Sequence, residues 1–273
     1  MDLRKTTRSN YRRLTSCFRK LPDFIVIGAQ KAGTTSLFRY LSQHPRIAPS
    51  FKKEVHFFDG GLDPAEDSFK KGVGWYRSHF PLDGLKARSH VTGEASPLYL
   101  YHPLSASRVA HVVPGAKLIA LLRNPTERAI SNYYHMKRRG RECLPLMEAL
   151  QSEEQRIGTA TGSNEFNSYN FLMYSYKRKG IYKAQLDRYF GLFPQSQIMI
   201  IKSEELFSRP EEVTREVFRF IGVEDNVAIP DMDAANVGNT CGGADEAVVR
   251  YLDDYFRPHN RALCELLGRP FDW

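Results

Sequence analysis

The segment that most constrains the fold is residues 23–42, where an apolar run, a glycine-containing loop and a helical pattern follow one another. After Asp23 the run is apolar and β-branched and ends in Gly28, which is typical of a buried strand. From Thr34 to Ser42 the apolar residues recur at helical spacing. The order strand, loop, helix predicts that the first amides of the helix point at a ligand beside the end of the strand.

The loop itself, Gly28-Ala-Gln-Lys-Ala-Gly-Thr-Thr35, has the composition of a phosphate cradle. Its glycines let the backbone approach an anion, Lys31 adds a point charge, and the hydroxyls of Thr34 and Thr35 can donate hydrogen bonds. A tight turn that binds nothing is the alternative interpretation. The loop differs from the G-x-x-x-x-G-K-[ST] motif of nucleoside triphosphatases, because Lys31 precedes the second glycine, Gly33, by two positions instead of following it.

Two further apolar runs, residues 117–123 and 197–201, predict buried strands. Strands that alternate with helical patterns favour a parallel sheet. We therefore expect an α/β fold, namely a single-domain, P-loop-like, three-layer fold with a central parallel sheet and helices on both faces. The predicted helices are 104–113, 124–138, 181–190, 210–221 and 244–267, with a break at Pro258 left open, and the segments without clear periodicity are 46–88, 141–178 and 222–243.

The positive charge of the chain is concentrated at its start. The formal net charge is +8, and the first twenty residues hold seven Lys and Arg against one Asp, so the rest of the chain is close to neutral. We expect residues 1–20 to form a flexible basic tail and residues 21–273 to form one domain. The near-neutral body argues against nucleic acid as a partner, and a binding module built on the tail is the alternative. The basic runs 137–141 and 177–179 are more typical of solvated helix faces.

The composition excludes several classes of protein. With 42% hydrophobic and 26% charged residues, the chain is typical of a globular protein and not of a disordered one. Its four cysteines are scattered without metal-ligand spacing, so we expect no metal site and a reducing compartment. Its apolar stretches are far shorter than the roughly 18 residues of a membrane span, and no signal peptide is recognisable. These features predict a cytoplasmic protein without a membrane span.

Two more clusters carry polar groups suited to chemistry. Arg123 ends the second strand where a Mg²⁺ site would need a carboxylate, and Ser131 follows two helical turns later. A guanidinium fork and a hydroxyl suit a second phosphate, although an arginine at a strand end is often only a salt-bridge partner. Glu54 and His56 alternate with apolar residues, which predicts a short extended segment with both on one side. The carboxylate is a candidate general base, and a purely structural Glu–His hydrogen bond is the alternative.

Taken together, these motifs resemble a known family, the sulfotransferases that use 3′-phosphoadenylyl sulfate (PAPS) as donor. Within that family, the chain is most similar to the branch of heparan sulfate glucosaminyl sulfotransferases and their bacterial relatives. The resemblance is specific because five motifs occur in the family's order. The matching segments are 27–35, Lys53-Glu-Val-His-Phe-Phe-Asp59, Gly74-Trp-Tyr76, Leu121-Leu-Arg-Asn-Pro-Thr-Glu-Arg128 with Ser131 and Tyr133, and the ending from Tyr255 to Leu266-Leu-Gly-Arg-Pro-Phe-Asp-Trp273.

The resemblance implies where the donor binds. The loop after the first strand would hold the 5′-phosphosulfate, with Lys31 stabilising the charge on the leaving phosphate. Arg123 and Ser131 would bind the 3′-phosphate, the group that distinguishes PAPS and its product PAP from ordinary nucleotides. The residues implied for donor binding are Lys31, Ala32, Gly33, Thr34, Thr35, Arg123, Ser131, Gly242 and Gly243.

The resemblance also implies a metal-free in-line displacement. Glu54 would take the proton of an acceptor hydroxyl as general base, and His56 and Lys31 would complete the catalytic set. A base and cations for the leaving group are what such chemistry requires. The residues expected to contact the acceptor are Asp59, Trp75, Glu94 and His135.

Two departures from the family bear on the acceptor. Heparan 3-O-sulfating members tend to carry Arg where this chain has Thr35, and they carry Lys after the glutamate that corresponds to Glu94. Two cations that would grip an anionic polysaccharide are therefore missing. We expect an O-sulfotransferase that acts on a carbohydrate or glycoconjugate hydroxyl. The alternatives are a lipid or small-molecule hydroxyl as acceptor, and a P-loop kinase or NTPase as the activity.

Overall fold

A five-stranded parallel sheet with the strand order β2-β3-β1-β4-β5 forms the centre of the molecule. The computed structural model describes residues 3–84, 90–158, 166, 168–233 and 244–273. The strands are β1 Phe24–Gly28, β2 Ile47–Pro49, β3 Val91–Ala95, β4 Lys117–Leu122 and β5 Ile198–Lys202. The α-helices are α1 Leu3–Leu14, α2 Thr34–Leu41, α3 Gly72–Arg77, α4 Ser105–Val112, α5 Pro125–Arg138, α6 Leu146–Gln151, α7 Glu153–Ile157, α8 Tyr169–Tyr174, α9 Tyr182–Phe190, α10 Ser203–Ser208, α11 Pro210–Ile221 and α12 Glu246–Leu267.

The predicted α/β fold with a central parallel sheet is confirmed, and the three strands expected from sequence are β1, β4 and β5. In the sheet Ile25 of β1 is paired with Glu94 of β3 on one side and with Leu118 of β4 on the other. The sequence analysis missed β2 and β3. β3 reads Val-Thr-Gly-Glu-Ala and so lacks an apolar run, while β2 has only three residues and ends in a proline at the edge of the sheet.

Several segments are more ordered than their sequence patterns indicate. The first twenty residues, expected to be a flexible tail, contain α1, and the Arg19 guanidinium donates to the Phe80 carbonyl at 2.8 Å. Helices α6, α7 and α8 lie in the stretch 141–178 that was predicted to be irregular. Each has only five or six residues, which is too short for a helical period to show in the sequence. Pro258 lies inside the continuous helix α12.

The core surrounds the sheet and extends under α5 and α12 in a second cluster. One position in it depends on the absence of a side chain. Gly93 of β3 lies against the ring of Phe24 on the neighbouring strand β1, and a Cβ atom there would come within 2.5 Å of that ring. Glycine at this position therefore lets the two central strands pair while the aromatic ring covers them.

The Gly93→Ala substitution is expected to destabilise the protein by about 1–3 kcal/mol, because the added methyl group forces Phe24 out of its packing position. Chemical denaturation of the variant measures this loss. Gly115→Ala is the matched control, since a Cβ at Gly115 meets no atom within 4 Å. Equal midpoints for the two variants would contradict the close contact at Gly93.

Candidate active site

The loops that carry the predicted site residues meet at one edge of the sheet. All strand pairs are parallel, so the carboxyl ends of the strands lie on the same side. Lys31 follows β1, Glu54 lies in the segment after β2, and Arg123 follows β4 directly. Since β1 pairs with both β3 and β4, the Lys31 loop lies between the Glu54 side and the Arg123 side of this edge.

The loop after β1 leaves the start of α2 open. Gly33 is the N-cap residue of α2 at φ 90° and has no side chain with which to cap the helix. Two hydrogen bonds fix the loop from outside. Ser203 Oγ donates to the Ala32 carbonyl at 2.8 Å, and Arg123 Nη1 donates to the Lys31 carbonyl at 3.3 Å. The first amides of α2 and the helix dipole therefore produce positive potential beside Lys31.

Lys31, His135 and Glu54 influence one another across the site. Burial lowers the pKa of Lys31, and the nearby charges of Arg138 and Arg123 lower it further. Burial also lowers the pKa of His135 to about 4, helped by the charge of Lys31 and opposed by the charge of Glu54. His135 is therefore neutral at pH 7 and lies within the field of both groups. No hydrogen bond joins the Lys31 ammonium group to the part of the chain that the structure describes.

Arg123 lies beside the loop on the β4 side, where its Nη1 contacts the Lys31 carbonyl. The Arg123 guanidinium is mostly buried and is paired with Glu127 Oε2, at 2.7 Å from Nη2 and 3.1 Å from Nε. The Tyr182 hydroxyl donates to the Arg123 carbonyl at 2.8 Å. Ser131 is 5% exposed in α5. Arg123 thus forms the salt bridge that was its alternative interpretation, and the same side chain also holds the Lys31 loop.

The segment from Glu54 to Phe57 is not the extended strand that its alternating pattern predicted. Glu54 and His56 both have left-handed backbone conformations, with φ 61° and 57°. Four successive amides are tied to residues at and beyond the end of β3, which fixes this strained path. The Glu54 amide donates to the Ala95 carbonyl, the Val55 amide to Glu94 Oε2, the His56 amide to Ser96 Oγ and the Phe57 amide to the Tyr99 hydroxyl, at 3.1, 3.4, 3.2 and 2.9 Å.

Despite that backbone, Glu54 and His56 meet in space, and Asp59 completes a chain of charges. His56 Nε2 lies 3.4 Å from Glu54 Oε2, and His56 Nδ1 lies 2.6 Å from Asp59 Oδ2. Burial opposes the charge on His56, but Asp59 and Glu54 raise its pKa to about 10. Burial likewise opposes the charge on Glu54, but hydrogen bonds from His56 and Lys53 hold its pKa at about 2. At neutral pH the site therefore holds an ionised Glu54 against an imidazolium.

The residues expected to contact an acceptor differ in how they are exposed. Trp75 is partly buried and packs on Phe57 and His79, with ring centroids 5.9 and 4.4 Å apart. Asp59 and Glu94 are fully buried. Glu94 accepts hydrogen bonds from the hydroxyls of three neighbours, so in this structure it supports the Glu54 segment from beneath. These donors are Tyr76 at 2.6 Å, Ser96 at 2.6 Å and Tyr99 at 3.0 Å.

The sequence analysis missed a buried lysine beneath the loop. Lys179 is 3% exposed, and its ammonium group donates to Gln30 Oε1 at 3.1 Å and to the Leu172 carbonyl at 2.5 Å. Burial lowers its pKa to about 7, and the charge of Arg128 adds to this effect. The expectation of a solvated face for the run 177–179 is wrong at Lys177 and Lys179, which are both buried. The pattern carries no signal for this, since the preceding segment folds over the run.

Three predictions concern Gly242 and Gly243, a metal site and a membrane span. Gly242 and Gly243 lie outside the described residues, so their part in donor binding stays a prediction. Among the described residues, no group of three or more His, Cys, Asp and Glu side chains is placed to hold a metal ion. In the same ranges, none of the helices has the length and apolar character needed to cross a membrane.

In comparisons with known proteins, the chain is similar to sulfotransferases. The chain is 28% identical to the membrane-associated sulfotransferase kil1 of Dictyostelium discoideum over 93% of its own length and 66% of the relative's. It is also 28% identical to the heparan sulfate glucosamine 3-O-sulfotransferase 3B1 of Mus musculus, over 93% of its own length and 65% of the relative's. The chain thus spans about two thirds of the length of these curated relatives.

A crystal structure of a sulfotransferase from Alicyclobacillus acidocaldarius superposes with a TM-score of 0.74, at 31% identity, and the match covers 92% of this chain and 98% of that one. The family described as "Sulfotransferase domain" matches residues 21–232. Both findings agree with the resemblance that the ordered motifs indicate. The chain therefore belongs to the sulfotransferase family.

Proposed function

We propose that this protein transfers a sulfuryl group from PAPS to an acceptor hydroxyl without a metal ion, with Glu54 as general base. The observation that carries the proposal is the geometry of one sheet edge. An ionised carboxylate, Glu54, and an ammonium group that has no carboxylate partner among the described residues, Lys31, lie at the sheet edge from which α2 starts. Such a site offers a proton acceptor on one side and positive potential for an anionic leaving group on the other.

The residues on the β1 and β4 side fit the donor. The 5′-phosphosulfate would be held by the open amides of α2 and by Lys31, Thr34 and Thr35, with Ala32 and Gly33 in the turn. Ser131 and Arg123 would hold the 3′-phosphate, for which Arg123 exchanges part of its pairing with Glu127. Burial first, and then neighbouring cations, lower the pKa of Lys31 and His135, and a bound polyanion would relieve the repulsion between these cations.

The chain's own groups then have separate tasks in the reaction. The donor supplies the sulfuryl group and leaves as PAP. Glu54 accepts the hydroxyl proton while the acceptor oxygen bonds to sulfur and the bond from sulfur to the phosphate oxygen breaks. Lys31 compensates the charge that grows on that phosphate. His56, held by Asp59, keeps Glu54 ionised and oriented until the acceptor arrives, and neutral His135 lies within the electrostatic field of both base and cation.

We propose a carbohydrate or glycoconjugate hydroxyl as acceptor and the cytoplasm as location. The relatives named as heparan sulfate sulfotransferases support the carbohydrate, and the partly exposed Trp75 ring offers an apolar platform for a sugar. Among the described residues Cys17, Cys143 and Cys264 form no disulfide, which favours a reducing compartment.

Thermal stabilisation of the purified chain tests the donor directly. PAP without metal is expected to raise Tm, and adenosine 5′-phosphosulfate, which lacks the 3′-phosphate, is expected to raise it less, because ligand binding to the folded state stabilises by mass action. Stabilisation by Mg-ATP alone would overturn the proposal in favour of a kinase or NTPase.

The Glu54→Gln substitution is expected to lower sulfuryl transfer by about 10²-fold or more, the usual range for loss of a general base, and to leave PAP affinity nearly unchanged. Transfer is measured with labelled PAPS and PAP affinity by calorimetry. Glu66→Gln, in an exposed ion pair with Lys71, is the matched control and should retain activity. Loss of both transfer and PAP binding in the Glu54 variant would contradict the assignment of Glu54 as the general base.

The Arg123→Ala substitution is expected to weaken PAP binding by about 1.5–3 kcal/mol, the range for a hydrogen bond to a charged group. It should leave the affinity for adenosine 5′-phosphosulfate almost unchanged, because that ligand has no 3′-phosphate. Arg257→Ala, at an exposed pair with Asp254, controls for net charge. An equal loss for both ligands would show that Arg123 acts only by holding the Lys31 loop.

His56 is expected to make stability depend on pH. Its pKa is raised from 6.5 to about 10 in the folded protein, because Asp59 and Glu54 outweigh the cost of burial. The folded state therefore binds this proton more tightly than the unfolded chain, so the contribution is complete below pH 6.5 and is lost as the pH rises through 10. The Tm difference between wild type and His56→Gln should shrink across that interval. A difference independent of pH would show that the ring is not charged.

A further inference from the structure

The buried lysine beneath the loop after β1, Lys179, joins that loop to another part of the molecule. It lies between α8 and α9, and its ammonium group donates to Gln30 Oε1 at 3.1 Å and to the Leu172 carbonyl of α8 at 2.5 Å. The Tyr101 ring lies on a further side, with its centroid 5.7 Å from the ammonium nitrogen. Because Gln30 directly precedes Lys31, the buried ammonium group holds the residue next to the proposed leaving-group cation.

A second buried cation lies beside Lys179. Arg128 of α5 has no exposed surface and donates from Nη2 to the Tyr176 carbonyl, and its Nε and Nη1 have no hydrogen-bond partner among the described residues. The charge of Glu153 acts on both cations, but its oxygens accept hydrogen bonds from two backbone amides at 2.6 and 2.9 Å. In the described ranges neither cation forms an ion pair. Burial of a charge without a paired counter-charge is costly.

These buried cations act on the same electrostatic group as the proposed donor site. Burial lowers the pKa of Lys31, and the charge of Arg128 is among those that lower it further. Burial lowers the pKa of Lys179 to about 7, with Arg128 adding to the shift and Glu153 opposing it. Burial also lowers the pKa of Arg128, and the charge of Arg123 acts in the same direction. An anion bound at the loop therefore favours the charged form of every cation in this group.

We propose that Lys179 is a positioning residue of the donor site: the bound anionic donor keeps its ammonium group charged, and the charged group holds Gln30 and the loop that presents Lys31. The inference rests on the proposed function. Two oxygen acceptors and an aromatic ring surround this side chain, which suits an ammonium group with its three donors better than a neutral amine. The proton comes from the solvent, so donor binding is accompanied by proton uptake and weakens as the pH rises above neutral.

Calorimetry of PAP binding to the full chain at pH 8, in buffers of different ionisation enthalpy, counts the protons taken up. The phosphates of PAP are almost fully ionised at this pH, so the protein supplies the sites. Wild type is expected to take up about half a proton per PAP or more beyond the uptake by Lys179→Met. The variant is also expected to bind PAP roughly ten-fold more weakly, the equivalent of one charge-assisted hydrogen bond.

Two further lysine variants separate charge from shape. Lys179→Arg stays charged at every pH, so it is expected to recover most of the PAP affinity while taking up fewer protons than wild type. Lys183→Met is the matched control, because the same substitution then removes an exposed lysine that is paired with Asp187. It is expected to bind PAP and to take up protons as wild type does.

The Gln30→Leu substitution tests whether Lys179 acts through Gln30. Loss of the side-chain acceptor is expected to weaken PAP binding, and the loss in Gln30→Leu/Lys179→Met is expected to be smaller than the sum of the two single losses, because the residues share one hydrogen bond. Fully additive losses would contradict the positioning role.

Equal proton uptake by wild type and Lys179→Met would overturn the proposal, as would equal PAP affinity. A Lys179→Arg variant that binds PAP as weakly as Lys179→Met would also overturn it, since the shape of the side chain would then matter and not its charge. If Lys179→Met shows no thermal transition, wild type and Lys179→Arg decide the question, and equal proton uptake by these two overturns the proposal. Failure of wild type to bind PAP would instead reject the proposed function, so the two failures are distinguishable.

Discussion

The geometry of the site depends on one buried carboxylate. Glu94, at the end of β3, accepts hydrogen bonds from Tyr76, Tyr99, Ser96 and the Val55 amide. Burial raises its pKa, and these donors oppose that shift by solvating the ionised form in place of water. Because the same hydroxyls also receive the amides of His56 and Phe57, the network determines the left-handed path that brings Glu54 to His56.

A second set of contacts holds the opposite half of the edge. Arg123 joins the Lys31 carbonyl to Glu127 of α5, Ser203 binds the Ala32 carbonyl, and Lys179 supports Gln30 from below. These bonds go mainly to carbonyl and amide oxygens, so the backbone amides of the loop and the Lys31 ammonium group can still donate hydrogen bonds to a ligand. Preorganisation of this kind lowers the cost of ordering the loop when a ligand binds.

The parts of the fold that the sequence predicted are those in which burial leaves a continuous apolar run. β1, β4 and β5 meet that condition, and the composition of the loop after β1 predicts a phosphate cradle. β3 does not, because it carries Gly93 for close packing and Glu94 for the buried network. The left-handed backbone at Glu54 and His56 was also unpredictable, since it results from contacts with residues 40 positions away. Long-range contacts of this type leave no local pattern.

The strand order affects how amino-acid substitutions on the two sides of the site combine. β1 separates two groups of contacts: β4 and β5 border the Arg123 side, whereas β3 and β2 border the Glu54 segment. Substitutions on the two sides that lie far apart and share no partner are expected to be nearly additive. In the proposed reaction, new acceptors would be accommodated by changes in residues 51–53 and α3, while the Lys31 and Arg123 side stays as it is.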